Sequence, residues 1–353
     1  MVRTMSEPTS GQLTAEDLLR LQVLLAGEVL AVRLDEDGPE LRALTPRGEA
    51  RIALHPVGRR EAYFNQVREL LGGHALGSPG GYPVHLRRWT RIGQVAPKNL
   101  AALLLLAEPE AAMAVAHSSA LTDELARRVW WALPVLEVAR VMLHHPAVQQ
   151  GAMGAVLSAW LLEHLPFQAD PIEAMHCVRA LLAAGRLDEA QREDLWRKAR
   201  RRPHYFHGFL EFLPEALPVE RSARELPEAL RAEAAAGNLW ATTLARLFSA
   251  QGQSYLLAAR LALDKPPAHE AVYALLDLIG GHFAALRAAP GREAVAASDA
   301  GWAEALAALA ALSAADAEPI LTRTTAVGPQ LRRKLEPLLA PILRHLRHLQ
   351  GES

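Results

Sequence analysis

The sequence predicts a mainly α-helical protein with a small N-terminal cap that contains a three-stranded β-meander. Half of the 353 residues are hydrophobic and only 5% are aromatic, and the abundant Ala and Leu have the strongest helix propensity among apolar residues. From Pro97 to Leu349, apolar segments of helical length alternate with Pro, Gly or Asp. A strand-like period of two occurs only near the N-terminus.

The cap is predicted over residues 13–95, after a polar tail at 1–12 that we expect to be disordered. Thr14, followed by Asp17, has the pattern of a helix start. Two turns containing Gly and Pro then separate three short runs, which is typical of an antiparallel meander. The runs are Val29–Leu34, Glu40–Thr45 and Glu49–Leu54.

A helix is predicted from about Arg60 to Leu71, because Gly72 and Gly73 commonly end helices. The chain continues into a Gly- and Pro-rich stretch at 72–83 and then into a basic segment that carries a Trp. We expect the main domain boundary here, at the end of the cap. The basic segment contains Arg87, Arg88, Trp89 and Arg91.

Residues 96–353 are predicted to form an irregular array of helical hairpins, similar to HEAT repeats and other α-solenoids. No fixed repeat period is evident, so a two-lobed helical bundle remains the alternative. A charged stretch with Pro at 217–226 is a possible subdivision. The last helix, over 330–349, is amphipathic and is expected to dock as a terminal cap, with a partner or a membrane surface as alternatives.

Charge and cysteine content restrict the classes of function. The formal net charge is −1, whereas proteins that bind nucleic acid mainly through phosphates usually carry a large positive excess. A single cysteine cannot form an intramolecular disulfide, which fits a reducing compartment. No signal peptide and no apolar run of spanning length are evident, so we expect a soluble, cytoplasmic protein without a membrane span and without DNA specificity.

No catalytic, metal-binding or cofactor-binding constellation is predicted. Gly72 and Gly77 have the spacing of a phosphate-binding loop, but the required Lys is missing. His269-Glu270 begins like a zinc-protease motif, but Tyr273 stands where the second His is needed. We therefore expect a protein that is not an enzyme.

Two basic segments are candidate contact surfaces for a protein partner or for RNA. One is the 87–91 segment, and the other is a run of cations followed by aromatic residues, which could bind phosphates and stack on unpaired bases. The alternative is a solvated helix end, because cations in a last helical turn complement the helix dipole. The second run contains Arg197, Lys198, Arg200, Arg201, Arg202 and Tyr205.

Cys177 is the only thiol. His176 beside it could lower a thiol pKa and favour sulfur chemistry. However, Ala174, Cys177, Val178 and Leu181 fall on one helical face, and a cysteine in an apolar stripe is usually an inert core residue.

Several segments resemble the DsrS family of accessory proteins, which are encoded with the dissimilatory sulfite reductase of sulfur-oxidising bacteria. The resemblance extends through about residues 14–215. It is carried by the segments Gly77–Gln94, Leu121–Pro134, Leu165–Phe167 and Leu195–Lys198. It implies a cytoplasmic protein associated with the oxidation of stored sulfur, with an accessory or regulatory role and no cofactor or catalytic residue to transfer.

Three functions are therefore considered. The first is a non-enzymatic helical scaffold that contacts a protein of the sulfur-oxidation pathway. The second is a post-transcriptional regulator that binds RNA through the two basic segments. The third is a sulfur-handling protein that uses Cys177.

Overall fold

The computed structural model describes residues 13–76, 97–219 and 221–352. Within these ranges it contains nineteen α-helices and one three-stranded antiparallel sheet, which confirms the mainly helical class and the small N-terminal meander. The chain divides into two compact units, Met1–Leu161 and Leu162–Ser353. The predicted tail at 1–12 and the predicted boundary at residue 95 lie outside the described residues.

The sheet consists of β1 (Ala31–Asp35), β2 (Glu40–Thr45) and β3 (Gly48–Ala53). The central strand, β2, pairs antiparallel with both neighbours, and Thr45 lies opposite Gly48. Gly48 has a φ of 122°, a backbone conformation that glycine adopts without steric cost. The second turn of the meander can therefore be very short.

Two helices, α1 (Ala15–Leu25) and α2 (Arg60–Leu76), pack their apolar faces against the sheet. Both faces have the i, i+3/i+4 spacing of a buried helical stripe. The shared core includes Leu21, Leu25, Val32, Leu41, Phe64, Val67 and Leu71.

Asp17 is a charged residue within this core and is fully buried. Its carboxylate accepts hydrogen bonds from the Tyr63 hydroxyl at 2.6 Å and from the His55 backbone N–H at 2.9 Å, and the His55 Nδ1 lies 2.9 Å away. Burial raises the pKa of Asp17, but the hydrogen bonds from Tyr63 and His55 outweigh burial and lower it to about 2. The carboxylate thus ties α1 to α2 and to the segment that follows β3.

The helix α2 does not end at Leu71 as predicted but continues through Gly72 and Gly73 to Leu76. Neither glycine has the positive φ that a glycine helix end requires. Glycine inside a helix costs only about 1 kcal/mol relative to Ala, and the buried Leu71 side chain is part of the core. Tertiary packing therefore overrides the local stop signal.

The rest of the first unit is formed by short helices. Several begin at a proline in the first turn, where the missing N–H has no helical partner to lose. They are α3 (Pro97–Leu103), α4 (Pro109–Ala116), α5 (Asp123–Ala132), α6 (Leu136–Met142), α7 (Pro146–Gln150) and α8 (Ala152–His164), the last of which extends into the second unit.

The described part of the second unit contains helices and no strands. Its helices are α9 (Pro171–Ala184), α10 (Glu189–Ala199), α11 (Phe206–Phe212), α12 (Glu228–Ala235), α13 (Leu239–Phe248), α14 (Ala250–Asp264), α15 (His269–His282), α16 (Arg292–Ser298), α17 (Ala300–Ala311), α18 (Glu318–Leu321) and α19 (Gly328–Gln350). Short 3₁₀ turns at Leu165–Phe167 and Pro203–Tyr205 precede α9 and α11.

The final helix, α19, is the amphipathic helix predicted near the C-terminus. Its apolar side chains are buried against α14 and α17. They include Leu331, Leu335, Leu339, Ile342, Leu346 and Leu349. Its opposite face exposes Arg333, Arg344 and Arg347. Among the described residues, no helix is long and apolar enough to cross a membrane.

Candidate functional site

The basic run predicted from the sequence lies at the C-terminal end of α10. This helix begins with a capping box: the Asp188 carboxylate accepts from the Gln191 backbone N–H at 2.8 Å, and the Gln191 side chain accepts from the Asp188 N–H at 3.0 Å. Reciprocal capping satisfies two N–H groups that would otherwise lack a partner. The helix ends at Ala199, just before the turn at Pro203–Tyr205.

One face of α10 anchors it to the second unit. Leu195, Trp196 and Ala199 are buried, and the Trp196 ring packs edge-on against Phe206 and Phe209, with centroid distances of 4.9 and 5.0 Å. Edge-to-face aromatic pairs add about 0.5–1.5 kcal/mol to the burial of their surface. The buried face fixes the orientation of the helix, so its cations lie on the other side.

We call Arg197, Lys198, Arg200, Arg201 and Arg202 the basic cluster. The side chains of Arg197 and Lys198 are 72% and 48% exposed, and Arg200 and Arg201 are exposed as well. The structure thus places all five predicted cations of this run at one helix end.

The basic cluster carries more positive charge than its surroundings neutralise. Asp194 lies 2.7 Å from the Lys198 Nζ and 3.7 Å from Arg197, and the hydrogen bond from Lys198 lowers the pKa of Asp194. The negative end of the helix dipole corresponds to roughly half a charge. Arg197 and Lys198 share Asp194, and Arg201 and Arg202 form no ion pair with any residue that the structure describes, so this helix end keeps a positive charge.

Tyr205 does not have the role predicted from the sequence. Only 1% of its surface is exposed, so its ring offers no face on which a base could stack. Its hydroxyl accepts a hydrogen bond from Arg202 Nη1 at 2.9 Å, and the Arg202 Nη2 lies 3.4 Å from the Pro166 carbonyl oxygen. Tyr205 therefore holds Arg202 in place instead of contacting a partner.

Phe167 is an exposed aromatic residue near the basic cluster, and it is not among the contact residues predicted from the sequence. It is 84% exposed and follows Pro166, whose carbonyl oxygen contacts Arg202. No sequence signal indicates this exposure, because the similar short turn at Pro203–Tyr205 buries its aromatic residue.

A cavity of about 270 Å³ lies beside the basic cluster, and we call it the basic cavity. It combines an apolar wall with cationic and hydroxyl groups. The wall consists of Leu162, Leu165 and Pro166, and the polar lining consists of Lys198, Arg201, Arg202 and Tyr205.

Two histidines lie near this cavity, of which His207 is fully buried and His204 is half-buried. Burial, and secondarily the charges of His207 and Arg202, lowers the pKa of His204 to about 4, and burial also lowers the pKa of His207. His207 has Nε2 at 2.9 Å from the Ala271 carbonyl oxygen and Nδ1 at 3.1 Å from the His204 carbonyl oxygen. A neutral imidazole has one N–H, so only one of these two contacts is a hydrogen bond.

Cys177 lies on the buried face of α9 and has no exposed surface. The neighbouring His176 points away from the thiol's apolar environment, with its Nε2 2.6 Å from the Glu270 carboxylate on α15. The His–Glu pair connects two helices, and the sulfur is enclosed by the core.

The second predicted patch lies outside the described residues. It comprises Arg87, Arg88, Trp89 and Arg91. Its role as a contact surface stays a prediction.

A larger cavity, about 440 Å³, lies within the first unit beside β1. Arg68 on α2 forms ion pairs with Glu36 and, at 2.7 Å, with Glu108. Burial raises the pKa of Glu108, and the charge of Arg68 opposes this shift. Because these charges pair with one another across the cavity wall, we interpret them as a structural connection between α2 and the chain before α4.

The described residues form no recognisable metal-binding or catalytic group. In the described part of the chain, no group of three or more His, Cys, Asp or Glu residues is placed to hold a metal ion. The dyad of Asp17 and His55 has a carboxylate–imidazole contact, and the Thr14 hydroxyl beside it caps α1, with Oγ1 accepting from the Asp17 backbone N–H at 3.1 Å.

Comparison with known proteins adds no relative: no family model matches the chain, and neither the curated proteins nor the solved structures include a significant match.

Proposed function

We propose that this protein is a non-enzymatic accessory or regulatory protein whose helices serve as a scaffold for binding an acidic protein partner. The observation that carries the proposal is the basic cluster, which places five cations, four of them exposed, at an anchored helix end. In this proposal the helical part acts as an irregular hairpin array in the manner of α-solenoids, which commonly bind partners over extended surfaces.

Physical chemistry favours an acidic partner over general attraction to polyanions. The formal net charge is −1, so the molecule has no overall positive field that would steer it to any polyanion. A local cluster can still provide specificity and fast association when a partner presents complementary carboxylates. Arginine suits this role because its planar guanidinium binds carboxylates through two parallel hydrogen bonds.

The pathway is proposed from the resemblance to the DsrS family. The segments Leu121–Pro134 and Leu195–Lys198 carry part of it, and the latter lies within α10 and includes two members of the basic cluster. We propose that the partner belongs to the cytoplasmic sulfur-oxidation system, and the single cysteine is consistent with that reducing compartment.

The test is affinity capture from an extract of a sulfur-oxidising bacterium, using the full chain as bait. Arg197→Ala, Arg200→Ala and Arg201→Ala are combined in one variant. The matched control combines Arg333→Ala, Arg344→Ala and Arg347→Ala on α19, which removes the same charge from another exposed face of the second unit. We expect a specific partner with the wild type and the control but not with the cluster variant. Equal recovery by all three baits would contradict the proposal.

RNA binding is a second candidate function, and the exposure of Phe167 beside the basic cluster favours it. A stacked aromatic ring contributes about 1–3 kcal/mol per base. If RNA is the ligand, Phe167→Ala weakens binding of a labelled single-stranded oligouridine at least about fivefold. An acidic protein partner recognised by charge would be insensitive to the same substitution.

Sulfur handling by Cys177 has the least support of the three functions. Transfer of sulfur requires a thiolate that can reach a persulfide donor, and the Cys177 side chain is fully buried.

A further inference from the structure

The basic cavity contains features that partner binding through exposed arginines does not use. Lys198 and Arg201 lie on its cationic side, and Leu162, Leu165 and Pro166 form an apolar wall. A protein partner held by the outer cations has no need of an enclosed apolar wall. The combination is instead typical of small-molecule sites, which are concave and largely apolar with a few polar groups that orient the ligand.

The three cationic side chains of the cavity differ in the hydrogen bonds and ion pairs that they already form. Arg202 is held by Tyr205 and Pro166, which fixes its position without neutralising its charge. Lys198 shares its charge with Asp194 at 2.7 Å. Arg201 forms no ion pair with any residue that the structure describes. Arg201 is therefore the group with the most capacity to bind a new anion.

The net charge of the residues that line the cavity determines whether it binds an anion or a cation. The lining carries three cations and no acidic residue. Asp194 offsets one of these charges, and the end of α10 contributes roughly half a negative charge. A net positive potential remains in the cavity. It is stronger than in open solvent, because the protein on one side has a lower dielectric constant than water. A cation would be repelled, and a purely apolar molecule would leave the charges unused.

We propose that the basic cavity binds a small organic anion with a short apolar body, such as an alkyl or aryl sulfonate, phosphate or carboxylate. The anionic head contacts Arg201 and Lys198 and the Tyr205–Arg202 pair, and the body lies against Leu162 and Leu165. A cavity of about 270 Å³ lies slightly below the usual range for drug-sized ligands, which begins at roughly 300 Å³. The ligand is therefore of metabolite size. This inference does not depend on the protein partner.

The test is isothermal titration of the full chain with three probes: hexanesulfonate, hexylammonium and inorganic sulfate. We expect hexanesulfonate to bind with a Kd of about 1 mM or below, and sulfate at least about tenfold more weakly because it buries no apolar surface. We expect no heat of binding with hexylammonium.

Single variants then locate the site. Arg201→Ala and Lys198→Ala are each expected to weaken hexanesulfonate binding at least about fivefold, and Tyr205→Phe about twofold to threefold. The matched control is Arg197→Ala, because Arg197 is an exposed neighbour that does not line the cavity. Circular dichroism of each variant checks that the fold is retained.

Several outcomes would overturn the proposal: no binding of hexanesulfonate up to about 10 mM, equal binding of hexylammonium, or equal loss with Arg197→Ala and Arg201→Ala. The double variant Arg197→Ala with Arg200→Ala separates this idea from the partner proposal. It should abolish capture of a protein partner and leave hexanesulfonate binding unchanged.

Discussion

Asp17 shows at the scale of a residue how a buried charge can stabilise a fold. Its pKa falls from 3.8 to about 2, so its contribution is complete above about pH 4 and is lost as the pH falls through about 2. We expect Asp17→Asn to lower the free energy of unfolding at pH 7 by about 2 kcal/mol, because it weakens the hydrogen bonds from Tyr63 and His55.

Urea unfolding measured from pH 7 down to pH 2 checks this prediction. The difference between the wild type and Asp17→Asn should shrink below about pH 4. The control is Glu16→Gln, because the side chain of Glu16 is 69% exposed and surface ion pairs contribute at most about 1 kcal/mol. A difference that is constant with pH would contradict the account.

The thiol of Cys177 is predicted to be unreactive in the folded protein. It has no exposed surface, so a reagent can reach it only when the structure opens. We expect mass spectrometry to show little modification by iodoacetamide or by a persulfide donor in buffer, and complete modification by iodoacetamide in urea. Rapid reaction of the native protein with the persulfide donor would instead support the sulfur-handling function.

The exposure of Tyr205 and Phe167, the two aromatic residues near the basic cluster, could not be predicted from the sequence. Charge placement was predictable, because the i, i+3/i+4 pattern of Leu195, Trp196 and Ala199 fixes which face of α10 is buried. The exposure of a ring in a short turn was not, because no periodicity applies there. The Pro203–Tyr205 turn buries Tyr205, and the Leu165–Phe167 turn exposes Phe167.

At the scale of elements, two adjacent glycines in α15 give a sharp prediction. A Cβ at Gly280 would lie 1.8 Å from the Leu312 carbonyl oxygen, whereas nothing lies within 4 Å of a Cβ at Gly281. We expect Gly280→Ala to destabilise by about 1–3 kcal/mol through overpacking. Gly281→Ala should stabilise by up to about 1 kcal/mol, since Ala is the better helix former.

Thermal unfolding of the two variants checks this close approach of α15 to the end of α17. Both change the same helix by one methyl group, so helix propensity alone predicts the same sign for both. Equal stabilisation by both substitutions would contradict the contact between Gly280 and Leu312.

Strands and helix starts were predictable within a few residues, but some helix ends were not. The two turns with Gly and Pro located all three strands, and the pairing of Thr14 with Asp17 located the start of α1. The Gly72-Gly73 pair suggested an end for α2 that the structure lacks. A capping residue is a reliable signal for a helix start because its side chain accepts from backbone N–H groups that otherwise lack a partner. Glycine is a weak signal for a helix end, because its low helix propensity can be outweighed by the burial of a neighbouring side chain.

At the scale of the whole molecule, the helical class was predictable from composition and from the spacing of apolar residues, but the division that the structure shows has no local sequence signal. The chain divides into its two compact units between Leu161 and Leu162, at a point inside α8 (Ala152–His164). Because the helix is continuous there, the sequence has no Pro or Gly at that point. The position of helix-breaking residues could therefore not have located the division. The net charge of −1 likewise gives no indication of the basic cluster, because a total over all residues does not show where the charges are located.

The most direct test of the account is the salt dependence of affinity for the captured partner, measured by fluorescence anisotropy. Screening shortens the Debye length from about 10 Å at 0.1 M salt to about 3 Å at 1 M. We predict that wild-type affinity falls at least about tenfold over this range, as does that of the α19 control. The variant lacking Arg197, Arg200 and Arg201 should bind weakly at 0.1 M and change little with salt. An unchanged affinity in that variant, or an equal loss in the α19 control, would contradict the basic cluster as the working surface.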